Sequence, residues 1–176
     1  YGTMANGGIH IPPHAIETIS ASDGHVIYQA QAKGTRALSP GAAFMVTDVL
    51  SDGAAHASAC SPYQLYTATA AQCRAGNPGS IRPAAVIGGL SETFRDTMAI
   101  GYTTDLVAGT WAGNSDYSLM EDVTSNDGAG QIWHDAMLLA EGNMPIKQFP
   151  SPPADVVKKT VNYGNLTTTD WYLASH

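Results

Sequence analysis

The sequence predicts an α+β fold: an antiparallel sheet of at least three strands with helices packed on it, plus a separate β-hairpin. Three observations carry this reading. The β-like runs "AAVIGGL", "FRDTMAIGYT" and "DLVAGTWAGN" follow one another with short polar breaks, so an antiparallel meander is the natural connection. Two segments, "LSPGAAFMVTDVLSDG" and "DGAGQIWHDAMLLAEG", carry helix start and stop signals. An Asp-Gly turn at Asp23-Gly24 separates the β-prone runs "IHIPPHAIETIS" and "HVIYQA", a strong hairpin signal. At 176 residues the chain is long enough for a core of its own, and 1–176 reads as one domain or part of one.

Element by element, "YGTMANGG" reads as the last turns of a helix closed by Asn6-Gly7-Gly8, since glycine past a helix end takes the left-handed conformation that a Cβ resists. A chain opening there is expected to belong to something longer; the alternative is a short first helix. Pro12 and Pro13 restrict the first β run to a late start or an edge. In the next helix Ser39 caps, Pro40 fits the first turn, Gly53 closes the end, and Phe44, Thr47, Val49 and Leu50 form the apolar face. Residues 53–82 read as an insertion or long loop, softened by a short helix at "YQLYTATAAQC". This stretch holds both cysteines, Cys60 and Cys73. Without CxxC spacing or a neighbouring histidine pair they do not suggest zinc. A local disulfide is favoured, contributing about 3 kcal/mol through loop closure and implying an oxidising compartment; two buried free thiols are the alternative. In the late helix Ile132, Trp133, Ala136, Met137 and Ala140 share a face, with Asp127 at the start and Gly142 at the end. Residues 143–176 read as an extended C-terminal strap anchored by Trp171 and Tyr172.

Composition narrows the function classes. The formal charge is -7 and only eight residues are basic, which argues against nucleic acid and against polybasic membrane attachment. No apolar run approaches the roughly 18 residues of a membrane span. The six histidines are scattered; His134 and Asp135 are neighbours on a helix and are expected to point apart. Asp116, Glu121 and Asp122 make an acidic loop, read as solvated, with a calcium site as the alternative. Arg95 and Asp96 are expected to make an ion pair or turn contact. Met98 and Trp111 are expected to face the core or neighbouring strands. No metal or cofactor is predicted.

The pieces "ANGG", "LSPGAA", "TDVL", "FRDTMAIGYTTDLVAGTWAGN" and "IWHDAM" occur in this order between Tyr1 and about Pro153. In that order they resemble the C-terminal half of the penicillin-binding transpeptidase domain, of the bifunctional type that carries a glycosyltransferase domain upstream. The resemblance implies part of the penicillin-recognising, β-lactamase-like fold. It implies a parent that acts in peptidoglycan synthesis, in the cell envelope outside the cytoplasmic membrane and tethered to it. The family's chemistry is acyl transfer from D-Ala-D-Ala peptides through a serine ester, with backbone N–H groups stabilising the oxyanion; β-lactams react with the same serine. The implied partners are a peptidoglycan stem peptide or a β-lactam, in the parent protein, and the N-terminal part of the transpeptidase domain.

Against that pattern the chain departs in an informative way. It contains no Ser-x-x-Lys and no Ser-x-Asn; the family places both upstream of the position of Tyr1. Counting back from "FRD", Ile87-Gly88-Gly89-Leu90-Ser91 fall at the place of the family's Lys-Thr-Gly-Thr-Ser substrate-binding strand. Only Gly89 and Ser91 match. Ile87 removes a charge, and a desolvated carboxylate without its charged partner binds poorly. The Leu90 N–H still suits an oxyanion hole, and Ser91 keeps one hydroxyl. No residue is assigned a catalytic role, and the chain alone is expected to lack transpeptidase activity. Three other readings stay open: a signature lying elsewhere, a plain buried strand with a glycine kink at "AAVIGGL", and a non-catalytic module whose strand edge pairs with an extended peptide. A half-domain lacking its other half would expose an apolar sheet face.

Overall fold

The computed structural model describes residues 1–53, 61–66, 72–73, 79–164 and 166–174. Helix α1 (Gly2–Ala5) ends as its sequence requires: Gly7 and Gly8 both adopt positive φ, at 59° and 91°. The chain then leaves on an excursion closed at its base by β1 (Ile9–His10) and β4 (Thr35–Arg36), paired antiparallel. Within it, β2 (Thr18–Ser20) and β3 (Val26–Gln29) form the expected hairpin, exposed throughout. The two prolines delay the strand to Thr18 because neither can donate to a ladder. Arg36 seals the base, its Nη1 donating to the carbonyls of Gly7 and Leu38 at 3.1 and 3.0 Å.

Helix α2 (Pro40–Leu50) starts as predicted, with Ser39 Oγ accepting from Ala42 N at 3.1 Å and Pro40 in the first turn. It ends at Ser51 rather than Gly53, and its packed face differs from the expected one. Gly41 and Ala43 are buried while Val49 is 67% exposed. The cause is a close approach: Gly41 lies against Val156, Leu173 and Asp155, and Asp155 Oδ2 accepts its N–H at 2.9 Å. Small residues turn inward there because another strand pair occupies the space that larger side chains would need.

Within 53–82, β5 (Leu65–Tyr66) pairs with β6 (Ile81–Arg82), so Leu65 and Tyr66 are strand residues where a short helix was expected. Both are almost wholly buried, and burial of such apolar side chains outweighs any local helix preference. Cys73 is buried; Cys60 lies outside the described residues.

The meander forms as predicted: β7 (Ala85–Leu90), β8 (Asp96–Tyr102) and β9 (Val107–Gly113), in that order. One face carries the core, where Leu65, Ala84, Val86, Ala99, Ala129, Trp133 and Met137 pack together. A π-helical turn (Asn126–Gly130) leads into α3 (Gln131–Glu141) on this face. Trp133 is fully buried and donates to the Ala108 carbonyl at 3.1 Å. The helix is rotated from the predicted face: Trp133, His134, Met137 and Glu141 turn inward, Ile132 is 50% exposed, and Ala136 and Ala140 face solvent. A buried ion pair from Arg82 to Glu141, 2.9 Å, explains the rotation, because an ionised carboxylate inside fixes which side of the helix is in.

The tail departs most from expectation. Beyond the prolines, β10 (Val156–Tyr163) and β11 (Leu166–Leu173) form an antiparallel hairpin instead of an extended strap. Trp171 does anchor it, edge-on against Phe44 of α2 with ring centroids 5.4 Å apart.

Candidate functional site

The sequence singles out Ile87 to Ser91, and the fold places them at the outer edge of the meander. Among the described residues β7 pairs only with β8 in its sheet. Strand alternation then divides the segment between two faces. Ile87 and Gly89 point away from the core, opposite Ile100 and Met98, which in turn face Gly109 and Trp111. This side is an open apolar surface: Ile87, Met98 and Trp111 are 46%, 51% and 53% exposed. Met98 and Trp111 therefore meet across strands and not in the core. The Trp111 indole is held by Asp96, whose Oδ2 accepts its N–H at 3.2 Å.

Gly88 points to the inner side, and a Cβ there would overlap the phenol of Tyr63. Burial pushes the Tyr63 hydroxyl's pKa upward, with a Ser125 hydrogen bond opposing it. The group is thus a neutral phenol at neutral pH. Tyr63 lies in the stretch read as a loop, and no pattern in the sequence tied it to β7. Gly89 is different, since a Cβ there would meet nothing within 4 Å.

Ser91 opens the β7–β8 turn, and its hydroxyl is occupied there. Oγ accepts from Arg95 N at 3.0 Å and from Asp96 N at 3.1 Å, and the Ser91 N–H donates to the Asp96 carbonyl at 3.0 Å. Phe94 completes the turn at φ 53°. A hydroxyl committed to two main-chain donors has little capacity left for a substrate. Arg95 makes a turn contact, donating to the Tyr117 carbonyl and stacking 5.0 Å from that ring's centroid. Arg95 and Asp96 form no ion pair with each other; each has another partner.

Among the described residues, several cations are engaged elsewhere. Arg82 is tied to Glu141, Lys147 to Asp105, and Lys158 lies over Trp171. The Lys147 ammonium, with Thr104, holds the Asp105 carboxyl below its usual range. Among the described residues no group of three or more His, Cys, Asp or Glu side chains gathers in a metal-binding arrangement. His134 and Asp135 do touch, His134 Nδ1 lying 2.9 Å from Asp135 Oδ1, although neighbours on a helix usually diverge. In the acidic loop Asp116 accepts from Ser118 N at 3.0 Å, and this hydrogen bond lowers its carboxyl pKa.

No family model matches the chain. It is 27% identical over 159 residues to penicillin-binding protein 2D of Bacillus subtilis, covering 86% of this chain and 21% of that protein. It is 28% identical over 162 residues to penicillin-binding protein 1A of Clostridium botulinum, covering 92% of this chain and 18% of that one. The chain thus spans about a fifth of the length of these curated relatives. Among solved structures, penicillin-binding protein 1A from Haemophilus influenzae superposes with a TM-score of 0.71 at 17% identity, over 98% of this chain and 30% of that one. The penicillin-binding protein PonA1 from Mycobacterium tuberculosis gives 0.61 at 23% identity, over 87% and 39%. The order of motifs, the meander with its packed helix and these likenesses agree: the chain is similar in sequence to part of curated penicillin-binding proteins, and its fold is that of part of two solved ones.

Proposed function

We propose that this chain is the C-terminal portion of a transpeptidase domain working in peptidoglycan synthesis, and that it supplies a binding strand but no catalytic group. One observation carries the reading: β7 is an edge strand with Ile87 and Gly89 exposed. An open edge can take an extended peptide as an additional strand, using main-chain hydrogen bonds that survive side-chain change. The glycine at 89 allows close approach of such a backbone. In the longer protein the substrate would be a D-Ala-D-Ala stem peptide or a β-lactam, attacked by a serine contributed from elsewhere in the domain. That protein would work outside the cytoplasmic membrane; among the described residues no helix is long and apolar enough to cross one. Cys60 and Cys73 as a disulfide fit such a compartment.

A second reading is favoured by the fate of the signature side chains. With Ile87 uncharged and Ser91 Oγ engaged in its turn, the strand retains shape without carboxylate recognition. The longer protein would then be a non-catalytic module that binds peptidoglycan or a protein through the same edge. Intact-mass analysis with a labelled β-lactam separates the readings. The chain alone should take no label, and an acyl adduct on it would overturn the proposal. A stoichiometric adduct on the longer parent supports the enzyme. A folded parent without an adduct supports the binding module.

A further inference from the structure

The β10–β11 hairpin is docked at its base and free at its tip. At the base Trp171 packs edge-on against Phe44, and Leu173 lies against Gly41 of α2. Towards the tip Leu166, Thr167, Thr169 and Asp170 are exposed. Among the described residues, neither strand pairs with any strand besides the other. A two-stranded hairpin on its own is marginally stable in water. Side chains tie its strands together: Thr160 Oγ1 and Thr169 Oγ1 lie 2.7 Å apart, and Thr167 Oγ1 donates to Asn162 Oδ1 at 2.7 Å.

An open strand edge is a template for another strand, and proteins commonly guard it with lysine, proline or a bulge. β10 carries such a guard in Lys158 and Lys159. β11 carries none. Its register against β10 runs without a shift, it holds no proline, and Leu166 to Thr169 are uncharged. One hydrogen bond shows which main-chain groups face outwards. The Trp171 N–H donates to Asp170 Oδ1 at 2.8 Å, so this donor is turned away from β10, and the Asp170 carboxylate closes the edge there. Antiparallel ladders turn alternate residues outwards, so the main chain of Thr169 and Thr167 faces out as well.

We infer that β11 pairs antiparallel with β11 of a second copy of this chain, across a two-fold axis at Thr168. In this register Thr167 stands opposite the partner's Thr169 and Thr169 opposite the partner's Thr167, so all four outward residues exchange main-chain bonds. An axis at Thr169 would instead set Thr167 against the partner's Trp171, whose N–H is already taken. Asp170 meets the partner's Leu166, so no like charges face each other across the seam. Such a contact is self-complementary and stops at a dimer. It is short and buries less than the roughly 1,200 Å² of a stable interface, so the dimer is weak and reversible. The inference is independent of the β7 reading, which uses the edge of another sheet.

Sedimentation velocity of the whole chain over a concentration series reads the association, and amide NMR shifts of Thr167 and Thr169 locate it. At the axis residue 168 faces itself, in a non-hydrogen-bonded pair where side chains come closest. Thr168→Lys and Thr168→Asp should each weaken dimerisation about fivefold, the scale of one cross-strand pair, and an equimolar mixture of the two should recover it. The Trp171 indole shift reports that each variant keeps its hairpin docked on Phe44. Ile87→Lys, on the open face of the meander, should leave dimerisation unchanged. A monomer at every concentration, shifts away from β11, weakening by Ile87→Lys, or a mixture that associates no better than either variant alone overturns the inference.

Discussion

Tyr63 places its phenol where a side chain at position 88 would begin. The glycine and the tyrosine thus fill one space between them. A threonine here should therefore overpack this site. Gly88→Thr is expected to cost about 1–3 kcal/mol. In a Tyr63→Ala background the same substitution should cost less, since the obstructing ring is gone. A double-mutant cycle by chemical denaturation measures the coupling; simple additivity would mean that the two positions do not compete.

Ile87 behaves in the opposite way. It stands on the open face, nearly half exposed, beside Ile100. A lysine there meets solvent and buries no charge. Ile87→Lys should change stability by no more than about 0.5 kcal/mol. A larger loss would mean that the apolar face is covered in solution, by a second copy or another segment, and sedimentation of the wild-type chain would then reveal the association. Positions 88 and 87 thus differ physically: a larger side chain is blocked by Tyr63 at one and meets open solvent at the other.

These contrasts bear on what the sequence reveals. The meander was legible because each strand is a β-prone run with its own breaks, and its pairings are local. The end of α1 and the start of α2 were legible because the Asn6-Gly7-Gly8 ending, Ser39 and Pro40 are chemical instructions read within a few residues. What failed depended on distant partners. The face of α3 was misread because Glu141 is drawn inward by Arg82, 59 residues away. Leu65 and Tyr66 became strand because β6 pairs with them. The β10–β11 hairpin did carry a local signal, a turn at Tyr163-Gly164 with β-branched residues on both sides. The prolines before it obscured that signal. At the candidate site the position of the strand was readable, whereas Tyr63 behind Gly88 was not, because no pattern links a loop tyrosine to a strand.

The Arg82–Glu141 pair should be the most costly polar contact to break. The two side chains are 7% and 1% exposed. The guanidinium also donates to the carbonyls of Glu141, Met144 and Pro145 at 3.1, 2.7 and 3.0 Å, closing the end of α3. Thr103 donates to the other carboxylate oxygen. Arg82→Ala leaves a buried carboxylate without its counter-charge and several carbonyls without this donor, and should cost about 3–5 kcal/mol. Arg82→Lys keeps the charge but loses the fork, so it should recover only part of that. Urea unfolding of both variants gives the comparison; equal losses would mean that charge alone matters.

Asp48 gives the chain a pH signature of definite sign. Desolvation first, then the like charge of Asp170, raises its carboxyl pKa above the ordinary 3.8, with Lys158 opposing and Asp52 adding. It also sits in the last turns of α2, where the helix dipole disfavours a negative charge. The folded chain therefore holds this proton more tightly than the unfolded chain does. Its contribution to stability is fully present below pH 3.8 and is lost as pH rises through the folded value. Asp48→Asn removes the charge at every pH. The variant should melt about 1–2 °C above wild type at pH 7, the scale of a partly exposed group, and the gap should close on acidification below the carboxylate range. Melting curves of both proteins across that range decide the point. A gap that persisted at low pH would assign the effect to packing or to helix propensity rather than to ionisation.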